Sequence, residues 1–429
     1  MRSLLNRVNQ FAGSSLLRRN ISMTFGRQLL SALAQFILVV VVARKLGPEG
    51  NGFYALAILL PTMLSTFLNL GIGPATVYHV SRKDFDVADA LAGNLRLAFV
   101  VSAIGVVLTL PVLFLWGEVL FPKIPISLLF VGLSSFPISL LLAYLNTILQ
   151  GQEDFKAFNL SILLPPYANL VGVLVAFYIF DLGILGAMFA YIGGQLIGLL
   201  TVCVLLGRNN NLTQQIRQTR SLSIYTRKSL SYGWRAHLSN ILAFINYRAD
   251  IFLVNFLMNP AATGIYVIAV QIAEKLWMLS QAASTVLLPR LSAMHGNPKA
   301  RLALTNKGFL IVSGLTAVLS LFVGAGLYWL INPVFGEAYA EALPAFFWLL
   351  PGIIAGAGSR IYSNCIAAAG KPEWNMYIAL AVVSINIVGN VIFIPYHGII
   401  GAAWATSIAY CFNAAVKVWL VKKTLSLTV

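Results

Sequence analysis

A chain of 429 residues with 59% hydrophobic and only 10% charged side chains, at a mean hydropathy of +0.83, carries more apolar surface than a soluble domain of that length can hide. Its net charge of +16 comes from Lys and Arg spread over short polar segments between apolar runs, which excludes a nucleic-acid footprint and makes anionic lipid headgroups the nearer partner. Cys203, Cys365 and Cys411 fall inside apolar runs at spacings that suit neither a disulfide framework nor a metal site, so they are expected as small buried residues, with no metal and no cofactor.

Segment 1–23 holds Arg7, Asn9, Arg18, Arg19 and Asn20 without a compact apolar stretch before a small-residue cleavage site. It reads as a retained basic, amphipathic tail on the membrane surface, not as a signal peptide. Apolar runs of about 20 residues follow, the length a helix needs to cross roughly 30 Å of hydrocarbon. They lie at 24–43, 52–80, 93–115, 126–148, 157–180, 184–206, 232–257, 262–289, 308–331, 342–367, 374–394 and 399–421. The expected fold is an all-α polytopic membrane protein of about twelve transmembrane helices. A basic linker, 207–231, divides a lobe at 24–206 from one at 232–421, and 422–429 is a short tail. If successive loops alternate sides, the basic residues collect on the tail, the linker, the stretch from Arg290 to Lys307, Lys371 and the C-terminal lysines. Only Arg44, Lys45 and Lys123 fall on the other side, which predicts both termini in the cytoplasm.

The stretch LGPEGNGFYALA, 46–57, shares its skeleton with MNPAATGIYVIA, 258–269: Pro48, Gly52, Tyr54 and Ala57 recur as Pro260, Gly264, Tyr266 and Ala269. NLVG at 169–172 returns as NIVG at 386–389, and GILGA at 183–187 returns as GIIGA at 398–402, at nearly the same offset. The chain is therefore read as two parallel six-helix repeats, between which substrates of such transporters bind. Within the motif Gly-Pro and Asn-Pro form an external turn, Gly52 and Gly264 allow close approach, and Tyr54 and Tyr266 suit the interface belt. Pro61 and Pro74 in the second span, Pro165 and Pro166 in the fifth and Pro351 in the tenth permit the bending that alternating access requires.

ARKLGPEGNGFYALA followed by LNLGIGPATVYHVSR, with NYRADIFLVNFLMNPAATGIYVIA and STVLLPRLSAM in the second half, resembles the polysaccharide-biosynthesis flippases. These are the O-antigen transporter branch of the multidrug/oligosaccharidyl-lipid/polysaccharide (MOP) exporter superfamily, and the resemblance runs from about residue 20 to 421. It implies a V-shaped, two-lobed secondary transporter that moves undecaprenyl-pyrophosphate-linked oligosaccharide from the inner to the outer leaflet of the bacterial plasma membrane. It also implies a cationic central cavity, and as partners membrane lipids, a polysaccharide polymerase and a chain-length regulator.

An anionic, hydroxyl-rich substrate needs Arg or Lys in a protein-lined cavity, with aromatics and amides for the sugar faces. A charge at the bilayer centre costs roughly 2.5 to 3.5 kcal/mol even on insertion scales, so those present mark a pathway. The cationic candidates are Arg248, Arg27, Arg360, Lys275, Arg235 and His237. On the seventh span His237, Phe244, Arg248 and Asn255 share one helical stripe, and Asn246 and Asp250 another. Arg248, near mid-helix, is the first choice for a phosphate contact; the competing reading is a pair with Asp250 or Glu274 that ties two helices together. Arg27 is equally placed to snorkel to headgroups, Arg235 and His237 to face the cytoplasm, and Arg360, in GAGSRIYSN, to pack against a helix. Glu274 and Asp250 are the acidic candidates: one would carry H⁺ or Na⁺ if transport is ion-coupled, or both neutralise Arg248 and Lys275. Asn69, Tyr78, Asn146, Tyr167, Asn169, Asn240, Gln271 and Gln281 are candidates for sugar hydroxyls, against the ordinary role of such residues in interhelical hydrogen bonds.

No GxxxxGK[ST], HExxH or GxSxG sequence occurs, and GIG at 71–73 lacks a third glycine. A membrane glycan polymerase or ligase would carry a long external loop with catalytic residues, whereas every external loop expected here is short. A multidrug or metabolite exporter of the same superfamily is the nearer alternative; a cation exporter favours an acidic cavity, and the charge inside these spans is mostly basic.

Overall fold

The computed structural model describes residues 2–208, 222–294 and 297–426, and their regular structure is helical. In chain order the helices are α1 (Arg2–Phe67), α2 (Ile72–Ser81), α3 (Val87–Leu120), α4 (Ile126–Gly151), α5 (Phe155–Tyr178) and α6 (Gly183–Gly207). They continue with α7 (Leu222–Leu257), α8 (Pro260–Lys275), α9 (Met278–Ala293), α10 (Pro298–Phe335), α11 (Ala342–Ala368) and α12 (Pro372–Ser426). The centre of the basic linker lies outside the described residues.

Among the described residues, nine helical runs are long and apolar enough to cross a membrane. Two of them, Met23–Phe67 with 45 residues and Glu373–Lys423 with 51, are twice the length one crossing needs. Each is broken by a glycine in a left-handed conformation, Gly47 at φ 68° and Gly398 at φ 57°. These are the turns between the first and second and between the eleventh and twelfth spans, so each run makes two passes. α7, with 36 residues, covers the seventh span but falls outside the apolar set because Asn240, Asn246, Arg248, Asp250 and Asn255 interrupt it. With α7 the helices account for about twelve crossings. Side chains at Phe99, Phe114, Phe322 and Trp329 are more than 70% exposed, as expected where hydrocarbon rather than water is the solvent.

Local chemistry sets the boundaries. Asn259 caps α8, its side chain accepting from the Ala262 N–H at 2.8 Å, and Pro260 occupies the first turn. Asn297 followed by Pro298 starts α10 in the same way, at 3.0 Å from the Ala300 N–H, ten residues before the expected ninth span. The second span of each repeat is not one helix. After Phe67 the chain turns through left-handed Leu70 and Gly71 before α2, and after Lys275 it kinks at Leu276 and Trp277 before α9. At the first break the Asn69 carbonyl is satisfied by the Tyr144 hydroxyl at 2.8 Å; beside the second, the Trp277 indole N–H reaches the Ile353 carbonyl at 3.1 Å.

The chain divides into two compact units. The first comprises Met1–Val41, Ile58–Val112 and Ser127–His237; the second comprises Val42–Ala57, Leu113–Ile126 and Leu238–Val429. This differs from a cut at the linker: two outer segments of the first half group with the second half, and the start of α7 stays with the first. Tyr225 shows why. It is fully buried in the first unit among Phe85, Ala90, Leu145 and Leu149, and its hydroxyl lies 2.8 Å from that of Thr76 and 2.9 Å from Asn94 Oδ1.

In the second unit the two copies of the repeated motif lie against each other. A Cβ on Gly52 would collide with the Pro260 carbonyl, and a Cβ on Gly264 with the Pro48 carbonyl. Asn51 Nδ2 adds a hydrogen bond to the Gly264 carbonyl at 2.9 Å. The motif is thus architectural, with one correction: Tyr54 is 8% and Tyr266 0% exposed, so neither stands in an interface belt. A tyrosine two residues past a close backbone crossing is carried into the unit, where its hydroxyl needs a partner. The cysteines are corrected likewise: Cys365 is buried, but Cys203 and Cys411 lie on the exposed apolar surface.

Candidate functional site

The second unit holds most of the charge that the spans carry. Arg248 on α7 meets Glu274 on α8 along both guanidinium nitrogens, at 2.8 and 3.3 Å, and its Nη1 also donates to the Tyr247 carbonyl at 2.9 Å. The two side chains are 33% and 24% exposed. The pair therefore ties α7 to α8 and leaves Arg248 with its charge balanced. Lys275, one residue on, is exposed.

Two residues along α7, Asp250 is 2% exposed and makes no ion pair among the described residues. It is held by donors instead: the Tyr266 hydroxyl at 2.7 Å, the Ile251 N–H at 2.8 Å and the Thr406 hydroxyl at 3.4 Å. Thr406 Oγ1 accepts from Asn386 Nδ2 at 3.2 Å, and Asn390 Nδ2 donates to Asn386 Oδ1 at 3.1 Å. Asn386 and Asn390 are fully buried, and Asn390 Oδ1 has no partner among the described residues. A polar chain thus runs from α8 through Asp250 to α12, beside a small cavity lined by Tyr247, Asp250, Glu274, Trp277, Thr406 and Tyr410. Sequence reading found Asp250 but not its partners. Tyr266 and Asn386 stand in the repeated MNPAATGIYVIA and NIVG stretches, where the repeat marks them but assigns Tyr266 to the interface belt and Asn386 no partner.

A second polar cluster lies between α11 and the end of α12. Lys417, grouped by sequence with the C-terminal lysines, is 8% exposed, and its Nζ donates to Ser363 Oγ at 2.8 Å. Arg360, half-buried, stands three residues before Ser363 on the same face of α11, close enough for its charge to act on Lys417.

Of the remaining candidates in this unit, Asn240 and Gln281 are exposed, Gln271 is half-buried, and the Asn246 carbonyl accepts from the Tyr410 hydroxyl at 3.5 Å. Asn255, on the Arg248 stripe, is buried with neither amide atom hydrogen-bonded among the described residues.

In the first unit Arg27 is half-buried, with no partner for its Nε among the described residues. Tyr78 stacks on Tyr232 at 4.3 Å and accepts from Arg82 at 2.7 Å, a contact that fixes the ring beside the start of α7. Tyr167 donates to the Leu30 carbonyl at 3.2 Å, Asn146 Oδ1 accepts from Ser161, and Asn169 is buried. Tyr167 and Asn146 thus make hydrogen bonds between helices, the ordinary kind for amides and hydroxyls in membrane spans. His237 is half-buried beside the Phe67 backbone, and the Arg235 side chain lies outside the described residues. Beyond these helices the chain turns through Asp84, whose carboxyl is held below the usual carboxylate range by the His79 ring at 3.0 Å.

The architecture has known counterparts. The structure superposes on an inward-facing multidrug resistance MATE family transporter of the MOP superfamily with a TM-score of 0.77 at 16% identity, covering 94% of this chain and 98% of that one. With the lipid II flippase MurJ in an inward closed conformation the TM-score is 0.74 at 17% identity, covering 93% and 87%. At these identities the likeness is one of fold. In sequence, the uncharacterized membrane protein MJ1375 of Methanocaldococcus jannaschii is 25% identical over 387 residues, 87% of this chain and 90% of that protein. The probable flippase AglR of Haloferax volcanii is 25% identical over 210 residues, 47% of this chain and 43% of that protein. The family described as polysaccharide biosynthesis protein matches residues 17–295. With most of its length inside that match and a MOP-type helical fold, the chain belongs to the polysaccharide biosynthesis protein family.

Proposed function

We propose that the protein is a flippase that carries a pyrophosphate-linked oligosaccharide on a polyprenyl lipid, such as undecaprenyl, from the cytoplasmic to the outer leaflet of a bacterial plasma membrane. Both termini face the cytoplasm in this reading, and the glycan serves O-antigen, capsule or exopolysaccharide synthesis. The observation that carries it is the basic excess inside the spans of a chain from this family: Arg27, Arg248, Lys275 and Arg360 against Asp250 and Glu274. An anionic headgroup drawn through a low-dielectric path requires such compensation, and a cationic drug does not. Asp250 is the coupling residue, taking up H⁺ or Na⁺ during the cycle. A buried carboxylate held by hydroxyl and amide donors, with no cation of its own, can exchange those donors for an ion. Arg248 and Glu274 hold α7 to α8 in one state of the cycle.

The test is restoration of surface polysaccharide in a strain that lacks its own flippase, at matched membrane expression. Wild type restores polymer; D250N and R248A abolish it, and R248K restores part. Wild type that leaves polymer absent while raising cationic drug efflux would replace this reading with a multidrug exporter.

A further inference from the structure

The Arg248 guanidinium is already answered by Glu274, so the unanswered positive charge of the second unit lies elsewhere. We infer that Lys417, Arg360 and the hydroxyls of Ser359 and Ser363 form a phosphoryl-binding site, one that takes the phosphate oxyanion of the transported lipid.

Lys417 stands on α12, which runs to Ser426, yet it does not reach out to headgroups. Its Nζ turns inward to Ser363 Oγ at 2.8 Å, and the side chain is 8% exposed. An ammonium carries three donors, and this one spends a single donor on a neutral hydroxyl. Arg360 makes no hydrogen bond and no ion pair among the described residues, and its charge repels that of Lys417. Two cations that act on each other, neither paired with a carboxylate among the described residues, are an arrangement a fold avoids unless an anion joins them.

The surrounding groups hold the serines in place: Asn413 Nδ2 donates to Ser359 Oγ at 3.3 Å, and Asn375 Nδ2 to the Ser363 carbonyl at 3.1 Å. Ser363 gives its proton to the Ser359 carbonyl at 3.2 Å while accepting from Lys417, and Ser359 gives its own to the Gly356 carbonyl at 3.0 Å, so each hydroxyl donates to an anion by turning from a carbonyl of its own helix, while Lys417 has two donors to spare. A helix-end explanation fails, because the last carbonyl of α11, at Ala368, is answered by Arg301 at 3.3 Å and not by Lys417. A planar guanidinium beside an ammonium and hydroxyls, with no acid, matches an oxyanion of two or more charges; a metal ion would need the reverse.

The chemistry is that of a phosphate monoester or diphosphate, whether borne by a lipid or free in solution; naming the lipid rests on the flippase reading. The test is thermal unfolding of the purified full chain with inorganic pyrophosphate added at constant ionic strength, sulfate and chloride serving as comparison anions. Wild type and K422M, which removes a nearby exposed lysine, gain several degrees with pyrophosphate. K417M and R360Q lose most of that gain, and K417R keeps part of it, so a single misfolded variant does not decide the result. An equal gain in K417M and R360Q, or an equal gain with chloride, would overturn the site. Mass spectrometry of the protein in nanodiscs containing a polyprenyl diphosphate separates the sources: adducts lost in K417M place the phosphate on a lipid, and adducts unchanged in K417M overturn that assignment. Polymer restoration keeps the two readings apart. K417M as active as wild type sinks the site's role in transport and leaves the flippase standing, whereas an inactive wild type sinks the flippase while the pyrophosphate shift still decides the site.

Discussion

Arg248 and Glu274 illustrate what a charge inside a span becomes once its neighbours are fixed. Each alone is a costly group; together, at 2.8 Å and partly shielded, they are a tie between two helices. R248A and E274A should each lower the unfolding temperature, and the double variant should fall short of the sum, with a coupling of about 1 kcal/mol in a double-mutant cycle. Additive effects would mean that the pair does not hold the helices. Tyr266 makes the sharper case: Y266F removes one donor from a buried carboxylate and should cost about 1.5 to 3 kcal/mol, read as denaturation in detergent. That partner could not be read from the motif, in which Tyr54 and Tyr266 are equivalent.

At the scale of elements, the repeated motif works by letting backbones touch. G52A and G264A each set a methyl against a carbonyl of the opposite copy, where no flexible side chain can give way. Each should cost about 2 to 3 kcal/mol, seen as reduced monodisperse yield and a lower unfolding temperature. Gly314 and Gly326, inside α10 with nothing near their Cβ positions, are the comparison: alanine there should leave stability unchanged or raise it by up to about 1 kcal/mol. If all four alanines behave alike, close backbone approach is not what the motif is for. The second element of each repeat also carries a break, at 68–71 and at 276–277, neither of them at a proline. Prolines marked the spans that bend, but the chain gives way at Leu70, Gly71 and Trp277, where a tyrosine or an indole partner satisfies a backbone carbonyl.

For the molecule as a whole, topology is the property open to direct test. A fluorescent protein fused after residue 426 should light up, since it folds in the cytoplasm, and a periplasmic phosphatase fused there should be inactive. The same reporters placed after residue 258 should give the opposite pattern. Agreement at 426 with failure at 258 would remove a span between the two points and break the parallel-repeat reading.

Composition and periodicity alone determined that the chain is a helical membrane protein of about twelve spans and that its halves repeat. Those properties depend on hydrophobic length and on offsets along the chain, both one-dimensional quantities. Tertiary structure decided which charges are answered: Arg248 by Glu274, Asp250 by Tyr266 and Thr406, and Lys417, among the described residues, by Ser363 alone. A lysine five residues before Lys422 is indistinguishable in charge pattern from a surface cluster, and a repeated tyrosine is indistinguishable from its twin. Partners more than a hundred residues apart, as Asp250 and Thr406 are, become neighbours only when helices pack, so the net charge of a site is settled by packing and not by sequence.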